Sequence, residues 1–338
     1  MVNAVCSTPA QARHPREVLL GAQAASAVLP VCDHYCGVQT RMRKSIALQR
    51  EMTQEFNACV FDVTLDCEDG APVGGEAEHA QMVVELAAQA RQADPRARIG
   101  VRVHPVDHPA FEADMATIAG RAGAFLSHIM IPKVESAGDV ARAERALLAA
   151  YPAGLPLHAL IESPRAVHNA FDIAAHPRVQ SLSFGLMDFV SAHGGAIPAE
   201  AMGVPGQFTY PLVVRAKLEI ASAAHANGKT PAHGVVTEFS DPDAVRAAAR
   251  RAAREFACTR MWSIHPAQIR PIIEAFAPDR QAVEAAAQML LAAAQADWAP
   301  ISVRGVLQDR ASYRYYWQTL LRAHATGRAL PDGVVAWF

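Results

Sequence analysis

The chain has 338 residues, of which 51% are hydrophobic, and a formal net charge of −2 from 31 basic and 33 acidic residues. This length and hydrophobic content are enough for a large core, so one α/β barrel with an appendage fits the chain. The charges form no block of one sign, which argues against binding to nucleic acid or to an anionic membrane surface.

Apolar stretches in the chain are far shorter than the roughly 18 residues that a membrane-spanning helix needs. The first residues do not combine a charged start with an apolar core, so we expect no secretory signal and a cytoplasmic protein. Scattered cysteines are typical of reduced thiols. Cys32 and Cys36, with His34 between them, suggest zinc. However, no second Cys/His pair follows at matching spacing, which favours buried or loop thiols.

Short apolar runs alternate with helical periodicity along most of the chain. Predicted strands cover residues 27–31, 59–65, 98–103, 128–131, 157–161, 179–184, 230–236 and 261–264. Predicted helices cover residues 40–56, 76–92, 108–121, 138–150, 164–174, part of 203–225, and 241–256. The repeated alternation predicts an α/β fold, specifically a TIM (β/α)₈ barrel.

We therefore expect three regions: a leader at 1–26 with some helix around 15–25, a TIM-barrel catalytic domain at 27–279, and a C-terminal helical extension at 280–338. The extension carries the aromatic residues Trp298, Tyr313, Tyr315, Tyr316 and Trp317. An aromatic-rich tail outside a complete barrel often packs on a neighbour, which predicts a homo-oligomer.

Two carboxylates follow neighbouring predicted strands. Glu162 comes directly after the strand 157–161, and Asp188 follows the strand 179–184. The carboxyl ends of parallel strands meet at one edge of the sheet, where two carboxylates can share a divalent cation such as Mg²⁺. Each residue could instead cap the helix that follows it, and local sequence leaves both interpretations open.

Other polar residues also follow predicted strands, and a barrel would bring them to one mouth. Arg102 suits a substrate carboxylate because its guanidinium donates two parallel hydrogen bonds. The further candidates are Glu68, Asp69, Lys133 and His265. Taken singly, Arg102 or Lys133 could form a structural ion pair, Glu68 could begin a helix, and His265 could be a satisfied buried histidine.

Several motifs together resemble one known family. The chain is similar to the citrate lyase beta-subunit-like members of the HpcH/HpaI aldolase family, which include malyl-CoA and citramalyl-CoA lyases. The matching segments are FDVTLDCEDG (61–70), IGVRVHP (99–105), IMIPKVES (129–136), LHALIESPRAV (157–167), LSFGLMDF (182–189) and WSIHPAQI (262–269).

This resemblance implies a TIM barrel, commonly a homotrimer or hexamer, that uses Mg²⁺, or Mn²⁺ in its place, to make or break a carbon–carbon bond beside a carbonyl. It assigns Glu162 and Asp188 as metal ligands and Arg102 as the arginine that holds the substrate carboxylate. Glu68 and Asp69 match the acidic pair beside the metal-bound waters. In the tail, Asp309 fits a G-x-x-x-D pattern at 305–309, whose aspartate in the lyases reaches a neighbouring subunit's site and is our candidate acid/base.

The sequence departs from the family at four places. The first strand reads LPVCDHY where the family has an apolar run into Pro-Gly, and His104 stands where many members have Asn. Ala311 replaces a frequent Pro, and the tail's aromatic cluster is unfamiliar. These departures leave open the acyl substrate and any CoA site.

The resulting hypothesis is a lyase or aldolase acting on a small-molecule substrate, either a 3-hydroxy-acyl-CoA thioester or a related hydroxy-oxo acid. Catalysis through a Schiff base on Lys133 is the rival route. Two further alternatives are a non-catalytic metabolite-binding or regulatory barrel, and a lyase subunit that requires an acyl-carrier partner.

Overall fold

A computed structural model describes residues 13–21 and 28–338. These residues form two compact units. One unit is Leu29–Phe276, and the other combines the described residues before position 29 with Ala277–Phe338.

The unit Leu29–Phe276 is a closed barrel in which each strand pairs in parallel with the next and the last strand pairs with the first. The predicted TIM (β/α)₈ fold is therefore confirmed. The strands are β1 Cys32–Cys36, β2 Phe61–Asp66, β3 Ile99–Arg102, β4 His128–Ile131, β5 Leu157–Ile161, β6 Val179–Phe184, β7 Thr230–His233 and β8 Arg260–Ser263.

Helices connect successive strands of the barrel, and one more follows β8. The longer ones are Gln39–Phe56, Glu76–Ala93, Ala137–Ala150, Pro211–Ala226, Pro242–Glu255 and Pro266–Phe276. Shorter ones are Phe111–Asp114, the π-helical Met115–Ala119, Gly120–Ala122, Pro164–His168, Ala170–Ala175 and Leu186–Ser191. The side chain of Asp241 caps Pro242–Glu255, and a proline occupies the first turn of this helix.

Side chains inside the barrel form three layers, because successive residues of a strand point to opposite faces. The amino-terminal layer is polar and holds Asp33, Asp62, Thr64, His128, His158 and Arg260. A middle apolar layer consists of Met130, Leu160, Ala232 and Trp262, with Tyr35 and Val235 packed against it. The third layer lies at the carboxyl ends of the strands and contains Asp66 and Arg102.

The amino-terminal layer balances its own charge. The Arg260 guanidinium lies 2.8 Å from Asp33 Oδ2 and 2.6 Å from Asp62 Oδ2. Asp62 also accepts from Arg98 Nε at 2.5 Å. Two guanidinium groups thus face two carboxylates. Buried charges of this kind are tolerated only when they are paired and hydrogen-bonded.

Strand β1 was predicted wrongly. The apolar residues 28–31 form no strand, and position 27 lies outside the described residues. The strand is instead the next run, Cys32–Cys36, which is almost fully buried despite its polar composition. Its polar side chains meet buried polar partners on both faces of the strand. Asp33 meets Arg260 inside the barrel. His34 faces the surrounding helices, and its ring nitrogens lie 2.9 and 3.0 Å from Ser263 Oγ and Ser45 Oγ. Hydrophobicity alone could not identify such a strand.

The other unit contains the helices Pro15–Leu20, Arg280–Gln295, Arg310–Ala325 and Asp332–Val335. It also contains an antiparallel hairpin, β9 Ile301–Val303 and β10 Val306–Gln308, which the expectation of a purely helical tail missed. Arg304 and Gly305 form its turn with φ of 52° and 78°.

The tail's aromatic residues divide between the core and the surface of this unit. Trp298, Tyr313 and Trp317 are buried in its own core with Leu19 and Leu290, whereas Tyr315 is exposed. No helix in the described part of the chain has both the length and the apolar character needed to cross a membrane.

Candidate active site

Arg102, the last residue of β3, organises the carboxyl-terminal end of the barrel. Its Nε donates to Asp66 Oδ1 at 2.6 Å, Nη1 lies 2.8 Å from Glu68 Oε2, and Nη2 donates to Asp69 Oδ2 at 2.7 Å. Asp66 and Glu68 are buried, but the Asp69 side chain is 73% exposed. The structure thus brings together three of the predicted site residues, Arg102, Glu68 and Asp69.

Tyr35 belongs to this cluster and was missed in the sequence. Its hydroxyl accepts from Arg102 Nη2 at 2.6 Å and donates to Asp66 Oδ2. The Arg102 Cζ lies 4.6 Å from the centre of the tyrosine ring. The residue was missed because β1 was placed too early, which left Tyr35 in a presumed loop. Gly37 was a usable signal for the end of β1. The polar run Cys32–Cys36 is followed by Gly37, just as the polar segment after β2 ends in Gly70.

Lys133 links the arginine cluster to the predicted metal ligands. Its Nζ donates to Glu68 at 2.6 Å, and its backbone N–H donates to Glu162 Oε1 at 2.6 Å. Lys133 has φ of 50°, a left-handed conformation that costs free energy for a residue other than glycine. Burial acts to lower the pKa of Lys133, but the ion pair with Glu68 outweighs it and raises the pKa. A cationic lysine is a poor Schiff-base nucleophile, which disfavours that route.

Glu162 lies directly after β5 and is 4% exposed. It does not cap the following helix, because Ser163 fills that role by accepting from Ala166 N at 3.0 Å. Gly185 leaves the space that Glu162 needs: a Cβ built there would be 2.5 Å from both Cβ and Oε2 of Glu162. The capping interpretation of Glu162 is therefore wrong.

Asp188 is exposed and lies in the first turn of the helix Leu186–Ser191, whose N-cap position is Gly185. Burial and the charge of Asp188 raise the pKa of Glu162 to about 8. A cation would favour the ionised form of Glu162, which burial and the neighbouring carboxylate oppose. Both groups offer carboxylate oxygens, which suit a hard divalent ion such as Mg²⁺, and the exposed Asp188 leaves the position open to solvent.

Among the described residues, His265 makes no hydrogen bond or ion pair with this cluster, and Asp309 belongs to the other compact unit. His265 is exposed rather than buried; its ring stacks on Phe239 at 4.7 Å, and its Nδ1 accepts from Ala267 N at 3.2 Å. Asp309 is exposed and caps the helix Arg310–Ala325, accepting from Ala311 N at 2.9 Å. Both therefore have a local structural role in the described chain.

A different set of possible metal-binding atoms lies deeper in the barrel. Asp33, His128 and His158 each place one such atom within 4.8 Å of the others. The imidazole rings of His128 and His158 are stacked with centres 3.8 Å apart, so their in-plane lone pairs run side by side. Asp33 is already paired with Arg260. Since the charges of this layer are balanced, an added dication would leave a buried excess of positive charge.

The contacts of Cys32, His34 and Cys36 argue against the zinc site that their spacing suggested. Cys32 and Cys36 are buried free thiols, and both nitrogens of His34 face serine hydroxyls. Burial raises the pKa of Cys36 to about 12, which favours the neutral thiol over the thiolate that zinc requires.

Comparison with known proteins identifies the family. The profile of the HpcH/HpaI aldolase/citrate lyase family matches residues 46–266. The chain belongs to this family. Members similar to it include the L-malyl-CoA/beta-methylmalyl-CoA lyase of Cereibacter sphaeroides, which is 30% identical over 248 residues, or 68% of this chain and 76% of the relative.

Solved structures agree with this membership. A citrate lyase from Burkholderia xenovorans LB400 is 47% identical, has a TM-score of 0.80, and matches 97% of this chain and 100% of its own. The citrate lyase beta subunit of Mycobacterium tuberculosis, complexed with oxaloacetate and magnesium, shares the fold at 24% identity and a TM-score of 0.59, matching 75% of this chain and 98% of its own. The protein is therefore a lyase of the citrate lyase beta-like and malyl-CoA lyase type, rather than a binding-only barrel.

Proposed function

We propose that this lyase uses Mg²⁺, with Mn²⁺ as a substitute, to cleave or form the carbon–carbon bond of a 3-hydroxy-acyl-CoA of the malyl-CoA or citramalyl-CoA type, or of a related hydroxy-oxo acid. One observation carries the proposal: Glu162, buried and held by the backbone of Lys133, is opposed electrostatically by Asp188. This pair would hold the cation. When bound, the cation supplies Lewis-acid stabilisation of negative charge developing on the substrate.

Arg102 would hold the substrate carboxylate. Its guanidinium is surrounded by acidic groups, so an incoming carboxylate must replace one of them. Asp69 is the group that can leave, because it is 73% exposed while Asp66 and Glu68 are buried. Tyr35 and Asp66 would keep the guanidinium in place during this exchange, and Lys133 would keep Glu68 in place.

Asp309 of a neighbouring copy in a homotrimer or hexamer is the proposed acid/base. It would accept the proton of the substrate hydroxyl as the carbon–carbon bond breaks. The electron pair of that bond stays on the carbon beside the thioester carbonyl, and this carbon then takes the proton back from Asp309. The exposure of Asp309 and the G-x-x-x-D pattern at 305–309 support this role.

The CoA moiety is part of the proposal because a similar protein is named a lyase of malyl-CoA and beta-methylmalyl-CoA. The magnesium assignment agrees with the citrate lyase beta subunit solved with oxaloacetate and magnesium.

The test uses the purified full chain with malyl-CoA and citramalyl-CoA, following release of glyoxylate or pyruvate. We expect activity with Mg²⁺, none in EDTA, and recovery when Mg²⁺ is restored. Glu162→Gln and Asp188→Asn should each lower kcat/KM by about 10²–10³-fold, the range for the loss of one strong transition-state contact. Asp172→Asn, an exposed carboxylate elsewhere on the barrel, is the matched control. Full activity in EDTA would refute the proposal.

A further inference from the structure

The middle layer of the barrel reaches the candidate site through an aromatic pair. Tyr35 and Trp262 stack with ring centres 5.9 Å apart and an interplanar angle of 12°. Trp262 is 6% exposed, whereas Tyr35 and Val235 are only partly buried against the same cluster. The layer therefore presents an apolar surface beside Arg102.

Both rings are fixed by hydrogen bonds. The Trp262 indole Nε1 donates to Ser183 Oγ at 3.1 Å. The Tyr35 hydroxyl joins Arg102 and Asp66, and its ring lies under the guanidinium. Neither ring can rotate aside without breaking a hydrogen bond inside the barrel, so the surface that they form is rigid.

We propose that Tyr35 and Trp262 are the floor of the substrate site and limit the length of the 2-oxo acid that it accepts. This inference rests on the proposed function, in which Arg102 holds the acid by its carboxylate. Because the Arg102 Cζ is only 4.6 Å from the centre of the Tyr35 ring, a short acid anchored there has its substituent beside the aromatic pair. On this proposal, hydrogen or a methyl group is accommodated beside the rings, whereas a branched chain would clash with them.

The experiment measures binding of glyoxylate, pyruvate, 2-oxobutanoate and 4-methyl-2-oxopentanoate to the full chain with Mg²⁺ by calorimetry. Wild type should bind glyoxylate and pyruvate and discriminate against 4-methyl-2-oxopentanoate by at least about 10²-fold, within the range that a steric apolar pocket achieves. In Trp262→Leu the ratio of the Kd values for 4-methyl-2-oxopentanoate and pyruvate should fall at least about 10-fold, because the floor becomes deeper.

Two further variants separate the floor from general loss of structure. Tyr35→Phe keeps the ring but loses the hydroxyl that orients Arg102, so it should weaken all four acids alike and keep their order. Val235→Ala enlarges the same apolar surface without removing a ring, so it should relax the length preference if Trp262→Leu fails to fold. Circular dichroism reports whether each variant is folded.

The outcomes distinguish the two claims. If wild type binds the acids but the Kd ratio is unchanged in the folded Trp262→Leu and Val235→Ala variants, the proposed role of the aromatic floor is overturned. The lyase proposal then remains intact. Absence of binding by every acid to wild type with Mg²⁺ overturns the proposed function and, with it, this inference.

Discussion

Replacing Glu162 by glutamine should make the metal-free protein more stable while removing its response to Mg²⁺. The side chain is 4% exposed and its pKa rises from the ordinary 4.5 to about 8 in the folded protein, through burial and the nearby charge of Asp188. Glutamine keeps the shape and can still accept the Lys133 N–H. It removes only the ionisation that the folded state opposes.

The magnitude follows from proton linkage. A folded-state pKa above the unfolded one means that the folded chain binds the proton more tightly, so stability falls as pH rises from about 4.5 to about 8 and is level above that. One pKa unit corresponds to about 1.36 kcal/mol. The full effect of the shift is therefore about 5 kcal/mol, of which about 3 kcal/mol is lost by pH 7.

The assay is urea unfolding in EDTA at about pH 5 and about pH 8.5. The free energy of unfolding of Glu162→Gln, relative to wild type, should increase by about 4 kcal/mol between these two values. Taking the difference between the two proteins cancels the other titrating groups. Mg²⁺ at about 100 times its Kd should then stabilise wild type by about 2.7 kcal/mol and leave the variant unchanged.

Two results would refute this reasoning. One is a Glu162→Gln variant that is less stable than wild type in EDTA at about pH 8.5. The other is equal stabilisation of both proteins by Mg²⁺. The exposed control Asp172→Asn should keep the Mg²⁺ response of wild type.

Three more variants probe other parts of the barrel. Gly185→Ala places a Cβ 2.5 Å from Glu162 Oε2. It should weaken Mg²⁺ binding at least about 10-fold in a thermal-shift titration and destabilise the fold by about 1–3 kcal/mol. An unchanged midpoint of the Mg²⁺ titration would contradict the steric argument. Arg260→Met leaves Asp33 and Asp62 without their shared partner. Urea unfolding should show that the free energy of unfolding falls by about 3–5 kcal/mol. A decrease below about 1 kcal/mol would show that this pairing contributes little to stability. Burial lowers the pKa of Lys217 from 10.5 to about 7. Because the unfolded chain binds the proton more tightly, the stability of wild type relative to Lys217→Met should rise by about 2 kcal/mol between about pH 7 and about pH 9. A stability difference that does not change with pH would exclude the pKa shift.

The fold could be predicted from the sequence because most of the strands are apolar runs. His128–Ile131, Leu157–Ile161 and Val179–Phe184 were predicted with the bounds that the structure has. β1 failed for the opposite reason: its inward residues are polar, and their partners come from distant strands. No local pattern announces that Asp33 will meet Arg260.

The candidate site could be predicted as a set of strand ends but not as a network. The sequence predicted that Arg102, Glu68 and Asp69 lie near one another. It could not show that the Arg102 guanidinium is already paired with Glu68, Asp69 and Asp66. These contacts depend on side-chain direction across β1, β2 and β3. The exposed positions of His265 and Asp309 were equally invisible, because exposure is a property of the packed chain.

The order of the three layers inside the barrel has an electrostatic consequence. The amino-terminal layer is neutral as a whole, and an apolar layer separates it from the groups above. The amino-terminal layer therefore supplies no net positive charge to Glu162 and Asp188. The acidic groups of the mouth are therefore offset by Arg102 and Lys133 beside them, by a proton on Glu162, or by a cation from the solvent side, which is where the proposed Mg²⁺ would enter.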